Sequence, residues 1–272
     1  MKPAYLTLAE SGELAARVAA AWRRMEDCDL CARYCHVNRM RTVKGAVCRT
    51  GERAVVHSHG PHHGEEDPLR GRLGSGTIFF SWCNLRCVYC QNWDISQKGL
   101  GREVEPSELA DMMLGLQAQG CHNINFVTPS HAVAQIIAAV EIAAGKGLRL
   151  PLVYNTGGYD SPEALRLLDG IIDIYMPDMK YDDSSKARTY SHVRNYAEVN
   201  RAAVKEMHRQ VGDLVIDRQG IARRGLLIRH LVLPDDVAGS KDILEFLANE
   251  ISQDTYLNIC LLYTSPSPRD ED

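Results

Sequence analysis

The run Ser81-Trp82-Cys83-Asn84-Leu85-Arg86-Cys87-Val88-Tyr89-Cys90 sets three thiols at C-x3-C-x2-C spacing directly after an apolar segment. With nine cysteines in 272 residues, chance puts two more at chosen offsets from a first about once in a thousand trials. A [4Fe–4S] cube is normally capped at every iron by a cysteine thiolate. Three local thiolates therefore leave one iron open to an exogenous ligand, and a loop following a strand can wrap the cube. Zinc is the rival, but it favours paired C-x2-C units and a fourth ligand. The trio reads as iron–sulfur.

A second group lies upstream. Cys28-x2-Cys31-x3-Cys35, with Cys48 further on, supplies four thiols, enough to close a metal site completely. Structural zinc and an auxiliary iron–sulfur cluster fit it equally well; free thiols left from a degraded site are the bland alternative. His57, His59, His62 and His63 with Glu65 and Glu66 could ligate a metal or touch substrate, or form a solvated loop of irregular backbone. Only Cys121 and Cys260 stand apart.

These residues need a scaffold. From Gly76 onward, strand-like segments (77–81, 123–127, 151–155, 171–176, 226–233 and 255–259) alternate with helical ones. Pro106 marks a first helical position, with Leu109, Met112, Met113 and Leu116 at helical spacing until Gly120. Val133, Ile136, Ile137 and Val140 repeat the pattern, Ser161-Pro162-Glu163 opens another helix, and Ser240 is expected to cap one over Ile243, Leu244 and Leu247. The polar stretch from Ser184 to Gln210 reads as one long or two short surface helices. Such alternation predicts an α/β fold with a parallel sheet and right-handed crossovers. Periodicity leaves a doubly wound sheet and a partial barrel both open.

Bulk properties narrow the function classes. A net charge of −4 with acids and bases interspersed argues against a broad nucleic-acid footprint. No apolar run approaches the ~20 residues of a membrane span, and the N-terminus reads as an amphipathic helix rather than a signal peptide. The expectation is a cytoplasmic protein with reduced thiols, no nucleic acid and no membrane partner. Residues 260–270, Cys-Leu-Leu-Tyr-Thr-Ser-Pro-Ser-Pro-Arg-Asp, match the translation of a transposon-type sequencing adaptor, so residues 260–272 are read as an artefact and the native C-terminus as missing.

The cysteine trio, the run Gly76-Thr77-Ile78-Phe79-Phe80-Ser81 before it and Gln91-Asn92 after it resemble the radical S-adenosylmethionine (SAM) superfamily, and within it the pyruvate formate-lyase activating enzymes. The resemblance covers about residues 25–259. It implies a partial (β/α)6 barrel over residues 71–259, a Cys/His-rich N-terminal extension over residues 1–70, and a site at the C-terminal mouth of the strands. It also implies a reaction: SAM chelates the open iron, the reduced cluster donates an electron, and the resulting 5′-deoxyadenosyl radical abstracts hydrogen from a substrate. That substrate is expected to be a glycyl-radical protein, with a peptide or metabolite as the alternative, and the electron donor a flavodoxin or ferredoxin. A non-catalytic zinc-binding adaptor is the reading from another class.

Further positions carry over from the resemblance as cofactor-binding candidates. Tyr89 matches an aromatic packed on the adenine. Asn125, Thr128 and Ser130 fall where relatives carry Gly-Gly-Glu; Asn155 and Thr156, then Met176, Asp178 and Lys180, then Arg229, match positions on the cofactor's carboxylate side. Two departures stand out: Trp82 and Asp235 occupy positions where relatives have glycine.

Overall fold

The computed structural model describes residues 1–261. Nine strands make one sheet: β1 (Ala54–His62), β2 (Ser75–Phe80), β3 (Arg102–Val104), β4 (Ile124–Val127), β5 (Leu152–Thr156), β6 (Ile174–Met179), β7 (Val215–Ile216), β8 (Ala222–Val232) and β9 (Tyr256–Leu261). The helices are α1 (Tyr5–Ser11), α2 (Glu13–Arg24), α3 (Asp67–Arg70), α4 (Pro106–Ala118), α5 (Val133–Gly145), α6 (Pro162–Leu168), α7 (Ser184–Ser191), α8 (Tyr196–Val211) and α9 (Ser240–Phe246). Strands β2, β4, β5, β6, β8 and β9 run parallel and neighbour one another in chain order. Order without reversal excludes a doubly wound sheet, because right-handed crossovers then stack every helix on the same face. Accordingly α4 packs on α5, α5 on α6 and α6 on α8. The product is a partial (β/α)6 barrel.

Strand alternation sorts the two faces. Ile78, Phe80, Ile124, Phe126, Leu152, Tyr154, Tyr175, Leu226 and Ile228 join the main core beneath the helices. The opposite face lines a lumen, where Val153, Ile174, Met176 and Leu227 cluster with Leu69 of α3 and Ala222. This apolar plug fills the lumen at the start of the strands and leaves the C-terminal ends for polar side chains.

Residues 1–70 join both layers. Helix α2 packs on α5, and β1 pairs antiparallel with β2 from Val56↔Phe80 to His62↔Ser75. The stretch around His57–His62, expected to be irregular, is thus a strand. Its pattern hides this: His57, Ser58 and His59 are exposed, and Gly60 and Pro61 read as turn residues. Pro61 is tolerated because β3 pairs only with Ala54–Val56, leaving the strand edge at Pro61 without a neighbour on that side. A second correction concerns Ser240, which is the first helical residue of α9 and not its cap; Gly239 holds the cap position, and Ser240 Oγ hydrogen-bonds His230 Nε2 at 2.8 Å. Ser161 does cap α6, accepting from Ala164 N–H at 3.2 Å. The polar 184–210 stretch is two helices, α7 and α8. Of the residues read as adaptor-derived, Cys260 and Leu261 extend β9, and 262–272 lie outside the described residues.

Leu69 is fully buried in the plug. Leu69→Ala is expected to cost about 2–5 kcal/mol, measured as a lower urea midpoint in anaerobic equilibrium unfolding, with an unchanged slope.

Candidate functional site

Chain geometry at the end of β2 brings the three cysteines together. Trp82 turns the backbone with φ +65°, the left-handed region that explains why glycine suits this position. Its indole does not crowd the loop: it lies over Gly99, where a Cβ would stand 2.2 Å from the ring, and beneath the Arg49 guanidinium at 5.0 Å. Thr128, at the end of β4, and Asp235 also take left-handed backbone, φ +59° and +55°. Side chains at such angles cost on the order of 1–3 kcal/mol each; of these residues Thr128 lines the cavity and Trp82 precedes the first cysteine.

The cysteine loop is stitched to the C-terminus of α7. Arg86 N–H donates to Ser191 O at 3.2 Å and Val88 N–H to Tyr190 O at 2.9 Å. Arg33 of the N-terminal segment donates to Asn84 O at 2.6 Å and His192 O at 2.9 Å, and Asn84 Nδ2 donates to Tyr159 O at 2.7 Å. Each sulfur has a polar neighbour: Leu85 N–H donates to Cys83 Sγ at 3.3 Å, Cys87 Sγ lies 2.9 Å from Ser191 Oγ, and Cys90 Sγ 3.2 Å from Ser96 Oγ. Donors aimed at sulfur favour the thiolate and adjust the electronics of whatever it binds.

Cys83, Cys87 and Cys90 line one cavity of about 670 Å³. Burial foremost, then the neighbouring Cys87 and Cys90, push the Cys83 thiol up to about 12; burial also raises Cys87, against the pull of Lys180. Three thiols this close resist joint ionisation unless a polycation sits between them. Three thiols that line one cavity fit the body of a polynuclear cluster. Cys260 lines the same cavity, where its charged neighbours are Arg229, Glu66, Asp178 and Lys180 and none of the three cysteines.

A row of charges, beginning near the trio, lines the same cavity. Lys180 Nζ donates to Asp178 Oδ2 at 2.6 Å, and Arg229 donates to Asp178 Oδ1 at 2.9 Å and to Asn155 Oδ1 at 2.7 Å. Burial alone would raise Asp178, but Arg229 and Lys180 more than offset it, so its carboxyl is held below the usual range. Asp178 in turn keeps Lys180 charged.

Of the sequence candidates, Tyr89, Thr128, Asn155, Thr156, Asp178, Lys180 and Arg229 line the cavity. Tyr89 offers its ring, while its hydroxyl is committed to a chain running to Tyr181 Oη at 2.6 Å, Ser191 Oγ at 2.8 Å and Cys87 Sγ. Thr156 Oγ1 donates to Asp160 at 2.7 Å and pairs with Ser130 Oγ at 2.9 Å, a network that holds the strand ends. Met176 belongs to the apolar plug, and Asn125 is fully buried one layer below the mouth. His62 lines the cavity, edge-on to Phe79, whereas His57, His59 and His63 face solvent.

Sequence reasoning missed Ser191, Ser96, Tyr181 and Asn258, because their partners lie on other elements and no local motif marks them. It also missed Arg39, which is 3% exposed among the N-terminal thiols. Its guanidinium donates to Thr50 O and His131 O, each at 2.7 Å, and to Cys28 Sγ at 3.5 Å, and no carboxylate pairs with it among the described residues. Cys28, Cys31 and Cys48 are buried around it, close enough that their charges would act on it.

A profile of the radical SAM superfamily matches residues 77–247. An uncharacterized protein of Methanocaldococcus jannaschii is 28% identical over 255 residues, spanning 91% of this chain and 69% of that protein. Among solved structures, native anSMEcpe with bound AdoMet superposes with a TM-score of 0.48 at 12% identity, over 69% of this chain and 52% of that one. Streptococcus suis SuiB bound to S-adenosylmethionine gives 0.48 at 11% identity, over 69% of this chain and 40% of that one. The chain thus spans about half or less of these two solved proteins. Because the superfamily profile runs through more than half of the 272 residues, cysteine loop included, the chain belongs to the radical SAM superfamily.

Proposed function

We propose that Cys83, Cys87 and Cys90 hold a [4Fe–4S] cluster whose fourth iron takes SAM, and that the protein uses it for hydrogen-atom abstraction. The observation that carries this is the convergence of three thiols on a cavity also lined by Lys180, Asp178 and Arg229. When bound, the cluster supplies one electron to the sulfonium, and the 5′-deoxyadenosyl radical so released takes hydrogen from the substrate. The chain's own residues orient and exclude water. Lys180 and Arg229 would present donors to the cofactor's carboxylate, with Asn155 and Thr156 on that same side; the Tyr89 ring would pack on adenine and Thr128 would border the amino group.

The finer proposal is that the substrate is a glycyl-radical partner protein. Its support is the likeness of Gly76–Ser81, the cysteine trio and Gln91-Asn92 to activating enzymes; fold alone does not fix a substrate.

The N-terminal thiols are proposed to hold a second metal centre, zinc or iron–sulfur. Arg39 supports this. A guanidinium that deeply buried is costly without an anion, and metal-bound thiolates at Cys28, Cys31, Cys35 and Cys48 would supply the charge.

Two outcomes are expected of protein reconstituted anaerobically with iron and sulfide. With dithionite and SAM it produces 5′-deoxyadenosine, and Cys87→Ala reduces the product to background; an undiminished yield would refute the cluster assignment. By metal analysis, the double variant Cys28→Ala/Cys31→Ala loses one centre's metal and keeps about four irons at the trio. Unchanged metal content would remove the second centre.

A further inference from the structure

The cavity contains a pair of carboxylates that the cofactor's expected contacts leave unused. Glu65 and Glu66 lie between β1 and α3 and reach across the open seam of the barrel, lining the cavity. Glu66 is anchored from two sides. Its backbone carbonyl accepts Leu69 and Arg70 N–H at 2.8 and 3.0 Å, and Oε1 accepts Asn258 Nδ2 of β9 at 3.0 Å. The carboxylate is only 7% exposed, yet Oε2 has no hydrogen-bond partner. Arg229 forms an ion pair with Glu66, Nε to Oε1 at 4.0 Å, but gives its Nε hydrogen bond to Asp178, so Oε2 is left unbonded.

A second, independent group points the same way. Asn125 of β4 is fully buried, its Oδ1 has no hydrogen-bond partner, and its amide approaches the Glu65 carboxyl without a well-formed bond. It shares a strand face with the cavity-lining Val127, so it faces the lumen, where it lies beside the Glu65 carboxyl. Buried polar atoms without partners are rare and mark a place a ligand completes.

Position separates this subsite from the cofactor's amino-acid end. From the trio the charges run Lys180, Asp178, Arg229 and then Glu66, so the carboxylates stand at the far end of the row. Glu65 and Glu66 lie against each other, and burial together with that contact raises the Glu65 carboxyl to about 7; a ligand that brings donors and positive charge relieves the pair, because charge-assisted hydrogen bonds are the strong ones. An anionic or purely apolar ligand would leave Glu66 Oε2 without a hydrogen bond.

We infer that Glu65 and Glu66, with Asn125 behind Glu65, form the substrate-recognition subsite and take a protonated amine, the carboxylates pairing with the ammonium. This rests on the proposed function, since the amine would hold the substrate's hydrogen-bearing carbon toward the cofactor side of the cavity.

The test is equilibrium binding, which needs no turnover. The cluster-loaded protein is saturated with SAM and titrated with n-butylammonium or its neutral isostere 1-butanol, followed by ligand-observed NMR. Butylammonium is expected to bind about tenfold or more tightly than butanol. Glu66→Gln removes that preference, and Glu65→Gln serves as the second variant should the first misfold. Equal affinities for the two probes, or a preference that survives both substitutions, would overturn the inference. So would a fall in SAM affinity on Glu66→Gln equal to the fall in amine affinity, which would assign the carboxylate to the cofactor. Failure of the cluster-loaded protein to bind or cleave SAM at all would instead defeat the proposed function, so the two failures are distinguishable.

Discussion

Three thiols crowded at one cavity wall cannot all ionise unless something strongly positive lies between them. Burial already pushes Cys83 up to about 12, and each neighbouring thiolate raises the next. Much of the surrounding structure can be understood as holding this arrangement. The left-handed turn at Trp82 sends the chain off β2 into the loop, bonds to the end of α7 fix that loop, and Ser191 and Ser96 each place a hydroxyl near a sulfur. The barrel itself contributes position: chain-ordered parallel strands converge their C-terminal ends on one mouth, and the apolar plug around Leu69 fills the lumen beneath it.

Opposite charges inside the cavity stabilise one another in a row rather than in isolated pairs. Asp178 serves both Lys180 and Arg229, so two cations are kept at the wall by a single acid, which leaves donor capacity for an incoming carboxylate. The N-terminal segment completes the site physically. It supplies β1 beside β2, Arg33 against the cysteine loop, and the Glu66–Asn258 bond across the seam that the six-stranded barrel leaves open.

The sequence was most informative where chemistry or periodicity is local. The trio announces itself within eight residues, and the alternation of apolar strands and helices gave the parallel sheet. Pro106 and Gly120 bracket α4, whose residues run Pro106–Ala118. Strand β1 escaped because exposed histidines, Gly60 and Pro61 mask its period, and only pairing with β2 makes it a strand. Ser240 looked like a cap because caps are judged from type and position; its hydroxyl is instead drawn to His230 by tertiary packing. Ser191, Tyr181 and Arg39 act through partners brought near only by folding, and no spacing rule reveals them. Trp82 and Asp235, departures from the glycine of relatives, keep the backbone angle that glycine would have taken.

The central claim is that a cluster bound by three protein sulfurs keeps one metal corner for SAM. Mössbauer spectroscopy of iron-57-reconstituted protein, with and without SAM, tests it most directly. The account predicts a [4Fe–4S] signal in which one iron in about four shifts on adding SAM while the others stay. A mononuclear metal at the trio, or a cluster whose every iron ignores the cofactor, would contradict it.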